Sequence, residues 1–599
     1  MIRALFVLLA LGWLVFALSG YVVGYVVDYE NGSSATYYFL GLDNGTLIPL
    51  VEPPPHYLVG TGERVEAELV FTEVGVGARV SAPREPTLTP ALTIPSQPVS
   101  GSLLVTLVAA KFADVSFEPY NMSYIHDLAF GPFPSMRHFW ESASNGAVII
   151  RPYYIHWDWA TLPRTQADYC NTSFFYNITI DVINILYSEG IRLPSYSYLI
   201  IILNYRPTCL GGAIGAATLG FWEFDTPYGR IWLAVSQVYH YTNYTRYNPD
   251  LLVISHEFGH NLRLHHAGTG ADYDNYWDVM GNLRLWRRLN SWFGVTNYCV
   301  PNGLTLPHLY FLGWGSFVGS GVGVWLLGPR SGVYIPASFG VYTVEYKCGG
   351  VYEQFLDWCG VVVHRVSSSA SGRWVFFHTV LNVTGAIVSP VNFLDVGQSA
   401  WVAGQRVSVL WRNSTHAKVV VGLPTLADVV GANATFLVGS GAATIDSVAA
   451  VYARTVFSPT ATFTFPVFHF GVSNSRMLFN PLFAYLDDEQ WLTQVRYYST
   501  GSGWRYYPVR YPGVVVSVGG PLANSLTRAL NPPNQPGAGG LPFYYDTAAG
   551  GIRDARTGQV WRSRAAVVAV VPNESRVYVL VWGIDGEDTR RAARWLAEC

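Results

Sequence analysis

The sequence predicts a multidomain, mixed fold: an α+β domain over residues 101–328, a β-sandwich over 329–424 and a C-terminal α/β domain over 425–599. Three observations carry this reading. The chain has 599 residues, several times what one hydrophobic core usually supports. Half of them are apolar and only 13% are charged, well below the share usual in soluble proteins, so large cores can be filled. The apolar period changes twice, from mixed strand and helix to short strands and back.

Residues 1–20, MIRALFVLLALGWLVFALSG, place Arg3 before an apolar run and end in small residues, the layout of a secretory signal peptide. The run continues through YVVGYVV to Val27, long enough for an uncleaved membrane anchor. Either way the expected location is extracellular or at the cell surface. From Tyr21 to about Pro83, alternation such as VEAELVFTEV predicts strands, and APREPTLTPALTIPSQPVSGS predicts a linker. Residues 21–100 are therefore a β-rich region or a removable propeptide.

Within 101–328, SLLVTLVAAKFAD, AVIIRPYYIHW, YLIIILNY and GRIWLAVSQVYH read as strands. MRHFWESASNG, ended by glycine, and ITIDVINILYSEG read as helices. Short strands separated by turns follow in GVYTVEYKCGG, CGVVVHRV, QRVSVLW and AKVVVGL, the pattern of a sandwich. In the last part strands precede helices three times: ATFLVGSG before IDSVAAVYART, GVVVSVGG before PLANSLTRAL, and VYVLVWG before DTRRAARWL. VVVSVGGPLANSLTRAL lacks both G-x-G-x-x-G and the lysine of a phosphate loop, so it predicts a tight turn with Pro521 opening the helix.

A net charge of -3 without a run of like charge argues against nucleic-acid binding. Asn-x-Ser/Thr occurs ten times, from Asn31 to Asn573, against roughly three or four expected by chance, so N-linked glycans are expected. Of six cysteines, Cys348 and Cys359 are placed to close a hairpin, and no C-x-x-C pair exists to hold zinc. No cysteine precedes Cys170, so an N-terminal thiolate cannot reach a metal from the first hundred residues.

The chemistry concentrates in ISHEFGHNLRLHHAG. His256 and His260 are four apart, so on a helix both imidazoles leave one face and can share one Zn²⁺. Glu257 stands beside the first ligand, where it can take a proton from metal-bound water and later pass it to the leaving amine. A catalytic tetrahedron needs a third protein ligand and one open position, so His265 or His266 must complete the set. By chance H-E-x-x-H arises in about one such chain in a hundred, and a third histidine at a fixed offset makes it far rarer.

HEFGHNLRLHHAG followed by DYDNYWDVMGN resembles the metzincin zinc peptidases, with their motif H-E-x-x-H-x-x-G-x-x-H and Met-turn, most closely the gametolysin-like group. The likeness extends over about residues 103–316 and includes MRHFWESASNGAVII, GGAIGAATLGFW and PHLYFLGWGS. It implies an α+β zincin catalytic domain, zinc ligands His256, His260 and His266, the base Glu257, and Met280 as the Met-turn residue. It also implies an endopeptidase whose protein or peptide substrate pairs as an extended strand with a sheet edge above one catalytic zinc. Arg263 stands where the motif has glycine, at the point where the chain must leave the helix in a left-handed conformation. A non-catalytic surface or adhesive protein with a degenerate zincin domain is the alternative that this departure raises.

Asp272, Asp274 and Asp278 are candidate ligands for a structural Ca²⁺ or solvated loop carboxylates. Tyr273 and Tyr276 are candidates to stabilise an oxyanion, and His308 and His364 are expected to be structural. The C-terminal segment also resembles the α/β domain of some archaeal surface-layer proteins, which implies attachment to a membrane or cell-surface layer.

Overall fold

The computed structural model describes most of residues 17–598; outside it lie 1–16, 81–97, 241–249, 268–274, 282–300, 353–358, 379–392, 439–445, 454–483, 487–495, 508–513 and shorter stretches. The molecule is mostly β, built from several sheets. The largest sheet has eleven strands. These are β1 (Ala17–Tyr29), β2 (Ser34–Gly41), β3 (Leu47–Pro49), β4 (Arg64–Thr72), β5 (Gly75–Val80), β6 (Gly101–Lys111), β7 (Val148–Thr161), β8 (Ser197–Leu203), β9 (Ala213–Thr218), β10 (Trp222–Thr226) and β11 (Gly229–Tyr239). The main path runs β3-β2-β1-β9-β11-β8-β6-β7, with β4 and β5 attached beside β1 and β10 beside β11.

Strands β6, β7, β8 and β11 run parallel, while β9 is antiparallel to both β11 and β1. Parallel strands covered on both faces need near-continuous apolar runs, and every residue of SYLIIIL in β8 is buried. Leu107 and Ile200 face one core with helices α1 (Met122–Phe130), α2 (Met136–Ser144) and α4 (Asp250–Asn261). Val108 and Ile201 face the opposite core, against α3 (Phe174–Ser188). Helix α2 is capped by Ser135, whose Oγ accepts from His138 N, and its left-handed exit is made by Asn145 at φ 57°, one residue before the expected glycine.

The apolar run YVVGYVV is not a continuation of a membrane anchor. It forms the middle of β1, where Val23, Tyr25 and Val27 enter the α3 core and Val22 and Val26 pack with Leu40, Leu58, Val59 and Leu219. Burial on both sheet faces explains why both faces of this strand are apolar. Among the described residues no helix is long and apolar enough to cross a membrane.

A β-sandwich follows. One sheet pairs β12 (Ser316–Ser320), β14 (Ser331–Ala337), β15 (Gly340–Lys347), β16 (Gly360–Ser368) and β17 (Trp374–His378). The other pairs β13 (Gly323–Leu327), β20 (Ala417–Val421), β19 (Gln405–Arg412) and β18 (Ser399–Val402). Val333, Val344 and Val363 of the first share a core with Val409 and Val419 of the second. A disulfide joins Cys348 to Cys359 between β15 and β16, as their spacing predicts, and another joins Cys170 to Cys209. Cys299 and Cys599 lie outside the described residues.

In the C-terminal part, strands Ala434–Val438, Val514–Val518 and Arg576–Gly583 lie parallel, with Ala566–Asn573 antiparallel at one end. Helix Ser525–Leu530 starts later than expected. Pro521 lies in the preceding turn, and Asn524 is the cap, its Oδ1 accepting from Thr527 N.

Candidate metal centre

Helix α4 is apolar on nearly every side because it is enclosed: Leu251, Leu252, Val253, Ile254 and Phe258 are all buried. Asn261 fastens its end to the sheet. Its Nδ2 donates to the carbonyls of Thr218 and Val235, at 3.1 and 3.0 Å, and its Oδ1 accepts from Ser236 Oγ at 2.7 Å. His256, Glu257 and His260 are thereby held beneath β9, fully buried.

The turn after α4 is made with Arg263 in the left-handed conformation. Its φ is +71°, Arg263 N donates to His260 O at 2.7 Å, and Leu264 N donates to Gly259 O at 3.0 Å. These are the two bonds of a Schellman motif, with arginine where glycine is usual. A non-glycine residue there costs roughly 1–2 kcal/mol. Tertiary contacts offset it: Arg263 Nε donates to Val59 O at 3.1 Å, and its guanidinium lies over the Phe311 ring at 5.7 Å. Burial pushes the guanidinium pKa down to about 10, so it stays charged at neutral pH.

The turn carries His266 back over the helix. Its Nε2 lies 3.1 Å from Nε2 of His256 and 3.2 Å from Nε2 of His260. It is His266, not His265, that belongs to the cluster of potential ligands. A fourth group stands among them. Asp28, at the end of β1, places Oδ1 3.0 Å from His266 Nε2 and Oδ2 3.2 and 3.3 Å from Nε2 of His256 and His260.

These donors fit a tetrahedral cation such as Zn²⁺, whose ligand atoms, bound at about 2.0–2.1 Å, stand roughly 3.3 Å apart. The outer nitrogens agree with that use: His256 Nδ1 lies 2.9 Å from Val279 O, and His260 Nδ1 lies 2.7 Å from Leu264 O. An Nδ1–H donating to a carbonyl leaves the Nε2 lone pair facing the cluster. Burial lowers the His260 pKa to about 4, keeping the imidazole neutral. His266 Nδ1 lies 3.2 Å from Ser34 Oγ of β2, so the N-terminal strands orient this histidine too.

Glu257 is enclosed next to Asp28, and neither of its carboxylate oxygens has a hydrogen-bond partner of normal geometry. Burial, and then the Asp28 charge, push its pKa well above the usual carboxylate range. Asp28 itself is held well below that range; burial opposes ionisation, but the charge of His266 beside it outweighs burial. A bound cation would favour the ionised form of both acids. Glu257 reaches this position because β9 has glycine above it: a Cβ on Gly215 would stand 2.0 Å from Glu257 Oε1.

Met280 lies in a short 3₁₀ turn, Val279–Gly281, under α4. A Cβ at Gly259 would stand 2.4 Å from its sulfur, so the helix glycine is what allows this contact. Asp278 is neither a solvated loop carboxylate nor free to bind calcium. It is fully buried and accepts from Met280 N, Thr305 N and Thr305 Oγ1, with His308 Nδ1 2.9 Å from its Oδ2. Burial opposes its charge, yet His308 and the Thr305 bonds hold its pKa down to about 2. His308 therefore has the structural role expected of it, and His364 is buried beside Glu345 at 3.3 Å. Asp272, Asp274, Tyr273 and Tyr276 lie outside the described residues.

Sequence reasoning missed Asp28, Asn261 and Ser34. The only trace of Asp28 is an acid closing the apolar run YVVGYVVDY; an acid in a strand buried on both faces requires a partner. Neither a scan against protein-family models nor a search of curated proteins finds a match to this chain.

Proposed function

We propose that this chain is an exported zinc-dependent endopeptidase of metzincin type. The observation that carries the reading is the convergence of His256, His260 and His266 on one point, with Glu257 beside them and Met280 beneath. When bound there, Zn²⁺ supplies a Lewis acid and lowers the pKa of water to about 7. Glu257 accepts the proton of the attacking water and returns it to the leaving amine. The extended substrate pairs by strand addition with a sheet edge above the metal. The two disulfides and the exposed sequon asparagines Asn44, Asn121 and Asn413 support an oxidising, glycosylating location outside the cytoplasm. Attachment to a membrane or surface layer is part of the same proposal.

One observation favours a second reading, a non-catalytic cell-surface protein. Four protein ligands close a tetrahedron, which is how structural zinc sites are built, and Asp28 is the fourth here. Metal analysis and casein hydrolysis separate the two. The peptidase reading expects one zinc per chain and hydrolysis that is abolished by Glu257→Gln with zinc retained. Bound zinc without hydrolysis in any form of the protein would sink it.

A further inference from the structure

We infer that residues 17–80 are a built-in inhibitor in which Asp28 caps the metal as a displaceable fourth ligand while β1 fills the substrate strand position. This rests on the peptidase reading and deepens it. Without β1, the sheet would end at β9, whose free backbone edge lies over Glu257. Strand β1 covers that edge in antiparallel register, with Tyr25 opposite Thr218, Val26 opposite Ala217, Val27 opposite Ala216 and Asp28 opposite Gly215. The residue whose carboxylate meets the three histidines is thus the one paired with the glycine above the base. A substrate cannot use β9 while β1 is there, and water cannot take the fourth metal position while Asp28 is there.

The N-terminal strands are also built to move as one piece. Among the described residues their small core, Val22, Val26, Leu40, Leu58, Val59, Val65, Ala67 and Ala78, draws only Leu219 from the rest of the chain. Among the described residues their strand pairing to the rest of the large sheet is β1 with β9, joined by backbone bonds from Leu219 N to Gly24 O at 2.8 Å and from Phe221 N to Gly60 O at 3.3 Å. A cavity of about 1020 Å³ opens at the seam, lined by Tyr25, Tyr37, Phe39, Phe174, Tyr176 and Trp222, so the two parts are not closed over one another there. Departure would uncover Phe175 and its apolar neighbours, against which Tyr25 and Val27 pack. An incoming peptide with large apolar side chains would cover that surface again. Every β1 residue that pairs with β9 follows Gly20, so signal removal near that point leaves the cap in place.

The covalent link between the two parts is the Pro/Ser/Thr-rich segment around residues 81–97. Its hydrolysis consumes one water, OH going to the new carboxyl and H to the new amine, and lets the N-terminal piece dissociate. The test uses the full chain with a specific protease site placed between Arg84 and Gln97, in wild-type, Asp28→Ala and Glu257→Gln forms, loaded with Zn²⁺ or Co²⁺. Casein hydrolysis is measured before and after the cut, and acetohydroxamate binding to the cobalt forms is followed by visible absorption.

The expected result is at least a tenfold rise in hydrolysis on cutting, absent in Glu257→Gln, with the probe excluded from the intact wild type and bound by intact Asp28→Ala. An intact wild type that is as active as the cut protein overturns the inhibitor and leaves the peptidase standing. Exclusion of the probe from the cut protein also overturns it, making Asp28 a permanent ligand. If the probe binds the cut protein and intact Asp28→Ala but no form hydrolyses casein, the peptidase reading fails while the capping role of Asp28 survives.

Discussion

Helix α4 and strand β1 deliver donors to the same point, the helix by spacing and the strand by register. His256 and His260 meet because four residues make about one turn, and the partners that orient them, Val279 O and Leu264 O, belong to the same region of chain. Asp28 arrives from more than two hundred residues away, because β1 pairs with β9 at Gly215. The lesson is that one half of the site is intrinsic to a local segment, whereas the other exists only while a sheet edge is occupied.

The sharpest way to break the comparison is to remove one donor from each region. His260→Ala should weaken metal binding by more than about 100-fold, beyond what outer partners of a metal site contribute. Asp28→Ala should retain one metal per chain in equilibrium dialysis. Equal loss in both would mean that strand and helix are equivalent ligand sources and that the asymmetry is false.

Asp278 tests whether the turn beneath the helix is equally intrinsic. Its pKa is held at about 2, below the ordinary value of 3.8. A depressed carboxylate contributes stability that is present above the ordinary value and lost as pH falls through the folded one. The contribution is about 2–3 kcal/mol at neutral pH, fading between about pH 4 and pH 2. Asp278→Asn should lower the denaturant midpoint at pH 7 and flatten the acid limb of the stability curve; an unchanged limb would remove Asp278 as the clasp.

Gly259→Ala should cost about 1–3 kcal/mol, since the added methyl meets the Met280 sulfur and a packed helix must shift. Thermal unfolding of the metal-loaded protein measures it, and Gly259→Ala with Met280→Ala together should recover part of the loss. The smallest effect is expected at Arg263. Arg263→Gly relieves the left-handed backbone but gives up the bond to Val59 O, so the two terms nearly cancel, to within about 1 kcal/mol. Arg263→Ala keeps the strained backbone and loses the bond, and should be less stable than Arg263→Gly by about 1–2 kcal/mol. An Arg263→Gly protein more stable than the wild type by the full amount of about 1–2 kcal/mol would show that the bond to Val59 O does not support this turn.

What was legible in the sequence follows the range of the interactions. The buried strands of the large sheet, the sandwich strands and the Cys348–Cys359 pair could be read because period and short spacing encode them. The meeting of His256, His260 and His266 was legible up to the turn at Arg263, where intrinsic preference argued against the required conformation and a remote carbonyl, Val59 O, supports it. The role of Asp278 was misread because a carboxylate in a polar-looking loop gives no sign that Thr305 and His308 will enclose it. YVVGYVV was ambiguous because a strand buried on both faces and a lipid-facing segment have the same composition.

The sequence by itself determined the helical half of the site, since α-helical geometry converts a four-residue spacing into a shared face whatever surrounds it. Only the tertiary structure decided how that site is closed, since strand pairing is non-local. The register of β1 on β9 places Asp28 against the histidines, that of β2 on β1 brings Ser34 to His266, and nothing within any one of these segments specifies those registers.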